Sequence, residues 1–423
     1  MTQSQANPDN LAELPAALAE PVLKVRRGWT AAVILVNVGI NAAFFGPIQV
    51  LLGTQAASFD EHQKEAILAL VTGAGAMVSV VANPLFGTFS DRTTSRFGRR
   101  VPWVFIGALI GTIALLSLTV APSVAAMTLL WCLVQLGCNG ALAAITAAIP
   151  DRVPVVQRGL IGGLVSMGTV VGILVGAGIG AIAGANFALG YLICAVALLL
   201  GVLLYVLRGP DHRLLKQDQP AFSWRGFLAG FWINPVKYPD FGWAWLTRFL
   251  VQLGSHICTL YLLFFLKDEV RYPDPAFGVL ILTGIYAVLT IVTAAIGGIW
   301  SDRVKRRKPF VIASSVIIAA ASLILALAPT WTGALLGAAV LGIGYGAYLA
   351  VDLALLTQVL PAALSRGKDL GVINIASSLP QVLAPLIAFP FVAFLGGYLA
   401  LYLAAGVIGL LGAVFVVKIK SVQ

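Results

Sequence analysis

Apolar runs of about 20 residues, each long enough to cross a bilayer as a helix, recur along the whole chain. Twelve can be drawn, at 29–52, 64–90, 102–121, 126–150, 159–183, 187–207, 242–266, 276–300, 309–328, 331–359, 370–393 and 397–417. In hydrocarbon every backbone N–H and C=O must be paired within its own segment, so runs of this kind are confined to helices. The chain is 423 residues long and 10% charged, whereas a soluble domain carries roughly 25% charged residues. These features predict an all-α membrane protein. The polar first twenty residues hold no short cleavable apolar region, so the first span is expected to direct insertion.

A repeat then divides the spans into two sets. Gly87-Thr-Phe-Ser-Asp91-Arg92 and Gly298-Ile-Trp-Ser-Asp302-Arg303 each close an apolar run and open a basic cluster. Arg158-Gly159 and Arg366-Gly367 echo each other at a similar offset. A repeat of this length in so apolar a chain predicts two similar six-helix bundles, 1–207 and 242–423, joined by a linker at 208–241. Within the linker, 222–233 is expected to lie as a short amphipathic helix at the membrane surface.

The net charge of +10 does not indicate nucleic acid. With both termini cytoplasmic, 23 of the 27 Lys and Arg fall on the inner side; Lys64, Lys267 and Arg271 fall outside and Arg248 lies within a span. That asymmetry is the positive-inside pattern of a multi-pass protein of the cell membrane. The four cysteines all fall in spans and have no metal-ligand spacing with histidine, so they are expected to pack as small apolar groups. Gly176-Ala-Gly178-Ile-Gly180 lies mid-span with no strand before it, which points to close helix packing and not to a nucleotide loop. With no phosphate-binding loop and no nucleophile–base arrangement, no enzyme, cofactor or metal site is expected. The oligomeric state is left open.

Asn, Gln and charged side chains are costly in lipid and normally face a polar interior. Spans 3, 6, 9 and 12 hold none in their cores. Span 1 has Asn37 and Asn41, and span 4 has Gln135 and Asn139, both pairs spaced i, i+4. Arg248, Gln252, Ser255 and His256 share one face of span 7. Thr283, Tyr286, Thr290 and Thr293 recur on span 8, and Asn374, Ser377, Ser378 and Gln381 on span 11. A blank helix in every third place is what two inverted three-helix repeats per half would produce around a central cavity. The candidate solute-contacting residues are therefore Asn37, Asn41, Gln135, Asn139, Gln252, His256, Tyr286, Asn374 and Gln381.

The loop Gly87-x-x-x-Asp91-Arg92-x-x-x-Arg96-x-Gly98-Arg99-Arg100, with its shorter copy at Gly298, Asp302 and Arg303, resembles the signature of the major facilitator superfamily. The extra residues before Gly98, together with Asn83-Pro84, resemble the glycoside–pentoside–hexuronide cation symporters and the sucrose transporters. Two features of those relatives are missing: no Asp or Glu occurs from Ile67 to Ser90, and span 4 lacks the superfamily's arginine. The resemblance implies proton-coupled uptake of a sugar or glycoside by alternating access. A proton antiporter exporting drugs or metabolites is the alternative, although span 5 lacks the Gly-Pro step of such antiporters. A transporter-like sensor is a third possibility.

Physically the loop can act as a latch. Asp91 is expected to meet the positive N-terminus of span 11 near Leu370, and Asp302 to do the same at span 5. Arg92 or Arg99 would bridge to Asp151, Gly87 would allow close helix approach, and Arg303 repeats Arg92. Among 17 acidic residues Asp352 is the only one well inside a span, and Arg248 is the only such basic residue. They are expected to pair and to carry proton coupling, with His256 as a second carrier.

Overall fold

The computed structural model describes residues 21–208, 213–219, 223–224, 236–304, 306–358 and 366–420. Twelve helical rods are described: α1 Arg27–Phe59, α2 Lys64–Asp91, α3 Val101–Leu118, α4 Val124–Arg152, α5 Val155–Ala183 and α6 Phe187–Arg208. They continue as α7 Pro239–Leu260, α8 Pro275–Val304, α9 Lys308–Leu327, α10 Trp331–Gln358, α11 Arg366–Phe394 and α12 Gly397–Val416. Ten of them are long and apolar enough to cross a membrane outright. An eleventh is α7, which bends by 41° into Leu262–Asp268, and the apolar stretch described in α11 is Ser378–Phe394.

Local chemistry sets the ends. Ser123 accepts the backbone N–H of Ala126 at 3.3 Å and caps α4. Pro102 and Pro309 stand in the first turns of α3 and α9, where no N–H is needed. Gly396 and Gly397, with φ of 113° and 72°, turn α11 back into α12 through conformations that side chains with a Cβ resist.

The helix pairings of the first half recur in the second. In α1–α6 the helices pair as α1 with α5 and α6, α2 with α4, and α3 with α4 and α6. In α7–α12 they pair as α7 with α11 and α12, α8 with α10, and α9 with α10 and α12. The principal contacts between halves are α2 with α11 and α5 with α8, which a two-fold rotation exchanges. This is a pair of pseudo-symmetric six-helix bundles.

Small residues bring the rods together, as expected where lipid supplies no hydrophobic drive between helices. A Cβ on Gly107 would lie 2.4 Å from the Gly137 carbonyl, so α3 and α4 touch backbone to backbone. Gly176 lies against Gly46 of α1 and Gly180 against Val50, as the sequence predicted, whereas Gly178 faces open space. The blank helices carry outward leucines and valines such as Leu200, Leu203, Val407 and Val414, a surface suited to lipid. Apart from Ser223 and Trp224, the expected amphipathic helix at 222–233 lies outside the described residues.

Candidate functional site

Inside α1, residues Pro47–Leu51 form a π-helical turn, closed by the Leu52 N–H on the Pro47 carbonyl. Proline has no N–H to offer one turn back, and the helix widens there. The turn carries Gln49 toward the other half, where its Nε2 lies 3.4 Å from Thr283 Oγ1 on α8. Two cavities meet at this residue. One has about 90 Å³ of space that water can occupy and is bordered by Gln49, Thr72, Trp131, Gln135, His256 and Gln381. The other has about 50 Å³ and is bordered mainly by apolar groups of α5, α7, α8, α9 and α10, with Thr283 and Tyr286. Both exceed the space of a single water.

Of the residues predicted to contact solute, Gln135, His256 and Gln381 border the first cavity and Tyr286 the second. Asn139 donates to Gln135 Oε1 at 2.9 Å and orients that amide from behind. Asn37 and Asn41 border neither cavity. Their amides donate to the carbonyls of Val33 and Asn37 one turn back, at 2.9 and 2.8 Å, and Asn41 packs on Gly172 of α5. An asparagine in a helix can satisfy itself in this way, so its presence in a span does not by itself mark a cavity. The side chains of Asn374 and Asp302 lie outside the described residues.

Gln252 faces inward within the second bundle, where Tyr345 donates to its Oε1 at 2.8 Å. One turn before it on α7, Arg248 pairs with Asp352 of α10. Tyr348 donates to the other Asp352 oxygen at 2.6 Å. A line of rings, Tyr286 to Tyr345 at 5.9 Å and Tyr345 to Tyr348 at 6.1 Å, joins the second cavity to this ion pair.

At the end of the molecule that carries the basic loops, Arg100 is a centre of polar contacts. It reaches Asp91 at 2.5 Å, Asp151 at 2.8 Å and Ser90 Oγ at 2.5 Å, while Arg99 reaches Asp151 at 2.8 Å. Burial alone would lower the Arg100 pKa, but Asp151 and Asp91 raise it above its ordinary value. Asp91 is thus held by its own loop; the side chains at the start of α11 lie outside the described residues. No described atom would lie within 4 Å of a Cβ on Gly87. Arg92 accepts on its carbonyl from Gln219 of the linker at 2.7 Å, and Arg303 is exposed.

At the opposite end, charges join the two halves. Lys64 of α2 pairs with Glu61 at 3.0 Å and with Asp268, beyond the α7 bend, at 2.8 Å. Lys267 closes on Glu61 at 2.8 Å, and Tyr398 of α12 donates to Asp268 at 3.2 Å. The hydrogen bond from Lys267 is the main reason that the Glu61 carboxyl lies below its usual range.

With this geometry in view, the family model described as Major Facilitator Superfamily matches residues 30–281 and 244–422. The chain belongs to the Major Facilitator Superfamily. No curated protein matches it. Among solved structures, the peptide transporter POT in complex with sulfate is similar at a TM-score of 0.76 and 15% identity, covering 97% of each chain. The nucleoside transporter NupG aligns at 0.73 and 15% identity, covering 93% of this chain and 100% of that one. A POT family transporter in complex with 5-aminolevulinic acid aligns at 0.73 and 13% identity, covering 92% and 96%. Identities this low speak for the fold alone. This superfamily member is a transporter and not an enzyme.

Sequence reasoning missed Gln49, and placed Arg100 in the loop motif without giving it a role in the latch. Gln49 was detectable as an amide two residues after a proline within the first span, and Arg100 as the last basic residue before an apolar run.

Proposed function

We propose that this protein is a secondary active transporter working by alternating access, taking up a sugar or glycoside together with protons across the cell membrane. The observation that carries the reading is the cavity between the halves. Among the described residues no charged side chain borders it, while amides, hydroxyls and an imidazole do. Neutral hydroxyls pair well with such groups, whereas a carboxylate or phosphate solute would call for cations.

The basic end is the cytoplasmic one, with both termini there, and the halves 1–207 and 242–423 rock about the cavity with 208–241 as a tether. The ion pairs of Glu61, Lys64, Lys267 and Asp268 across the opposite end support a state closed on the outside. When the molecule turns over, Gly87, Asp91, Arg92, Arg99 and Asp151, with Asp302 and Arg303 in the second half, latch the inner side.

Asp352 carries the proton. Arg248 keeps it ionised while it is empty, and Tyr348 holds its second oxygen. The tyrosine line lets the occupancy of the cavity bias which partner Asp352 keeps. His256, on the cavity wall, is the second candidate carrier.

The test is uptake of labelled mono- and disaccharides by proteoliposomes under an imposed pH gradient. Saturable accumulation that a protonophore abolishes is the expected result. Accumulation of no panel member would remove the sugar reading, and accumulation indifferent to the protonophore would remove proton coupling.

A further inference from the structure

The two cavities differ in chemistry and share a wall. Gln49 and Thr259 border both. On one side stand the amides of Gln135 and Gln381 with His256; on the other stand Ile173, Leu262, Val279, Leu282 and Leu325. Among the described residues neither side presents a fixed charge.

Gln49 itself is half satisfied. One end of its carboxamide meets Thr283, while its Oε1 is buried without a partner. Turned the other way, the amide would still leave one end unpaired, because the Thr283 hydroxyl can accept or donate. A buried polar atom left unmade is costly, and the widened turn after Pro47 holds it there. Such an atom, placed at the junction of a polar and an apolar chamber, is suited to a ligand group that donates a hydrogen bond at that point.

We propose that the two chambers are halves of one binding site. It accepts an uncharged molecule with a hydroxyl-bearing end and a small apolar end, and Gln49 reads the junction between them. This rests on the cavity being the solute site. In chemical terms the ligand is a glycoside with a small alkyl aglycone, because the second chamber offers about 50 Å³ to water, roughly a third of a cavity that holds a benzene ring, and is walled mainly by aliphatic side chains. A free sugar would fill the first chamber alone.

The probes are matched methyl and isopropyl glycosides of glucose, galactose and xylose, with inosine as a glycoside whose aglycone is a polar ring. Affinity for the purified full-length protein is read by titration calorimetry. For whichever sugar is accepted, the isopropyl glycoside is expected to bind about tenfold more tightly than the methyl one, since two further carbons leave water for the apolar chamber. Gln49→Leu should weaken both by about tenfold or more. Ala338→Leu, which fills the apolar chamber, should erase the isopropyl preference and leave the methyl affinity in place. The ratio of the two affinities separates this effect from a general loss of folded protein.

Equal binding of methyl and isopropyl glycosides would overturn the divided site and leave the sugar reading intact. So would wild-type affinity in Gln49→Leu, or binding of inosine with no isopropyl glycoside bound. If no glycoside binds, the sugar reading falls and this inference falls with it.

Discussion

At the scale of single residues, the polar groups in the spans fall into two kinds. Gln135 and Gln381 border the cavity, and Gln135→Leu or Gln381→Leu should weaken solute binding by about 1 kcal/mol or more with the fold retained, since each removes a buried hydrogen bond. Asn41 instead sits between its own helix and Gly172. Asn41→Leu should lower the melting temperature while leaving the affinity of the protein that remains folded close to wild type. A binding titration alongside a thermal melt distinguishes the two outcomes. Arg248 and Asp352 call for a different measurement. Breaking a buried pair by removing one partner costs about 3–5 kcal/mol, because a charge is left uncompensated. Arg248→Gln or Asp352→Asn alone should therefore destabilise more than the two together, and an unfolding cycle on the four proteins measures the coupling. This pair was legible in the sequence, because lone opposite charges in a chain of apolar spans have few other places to go. The asparagines were not, since sequence cannot tell an amide facing a cavity from one folded back on its own helix.

At the scale of elements, nearly every helix could be read from the apolar runs, because lipid requires each one to be continuous. The π turn in α1 could not. Counted at 100° per residue, Gln49 falls roughly 80° from Asn41, out of phase with the stripe, and the widened turn shifts the phase of the residues beyond it. The loop between α2 and α3 was legible as a charged cluster, but its hub was not. Arg100 binds both Asp91 and Asp151. Asp91→Asn should slow transport with little change in solute affinity, because the contact biases the switch and not the cavity. Crosslinking yield between the basic ends of α2 and α11 reports it, and a yield equal to wild type would remove the latch. The opposite end has a pH dependence whose sign is set by Glu61. Its pKa is lowered in the folded protein, so its contribution is present at neutral pH and is lost as pH falls below about 4.5. Spin labels at His62 and Glu269 should therefore move apart at acid pH as Lys64 and Lys267 lose a shared partner.

At the scale of the whole molecule, each half repeats the other's helix pairings, and the cavity lies where the halves meet. Such a molecule can turn over about the cavity without repacking either bundle. Coupling then requires that the empty carrier be unable to turn over in the wrong protonation state, a condition that belongs to the full cycle and to no single contact. Exchange of labelled for unlabelled solute across a liposome uses only the loaded carrier, whereas uphill accumulation needs the proton step as well. The direct test is thus to measure both in Asp352→Asn, reconstituted beside wild type with a solute that wild type accumulates. The expected result is exchange close to wild type with accumulation abolished. Accumulation driven by the pH gradient at the wild-type level would contradict the account.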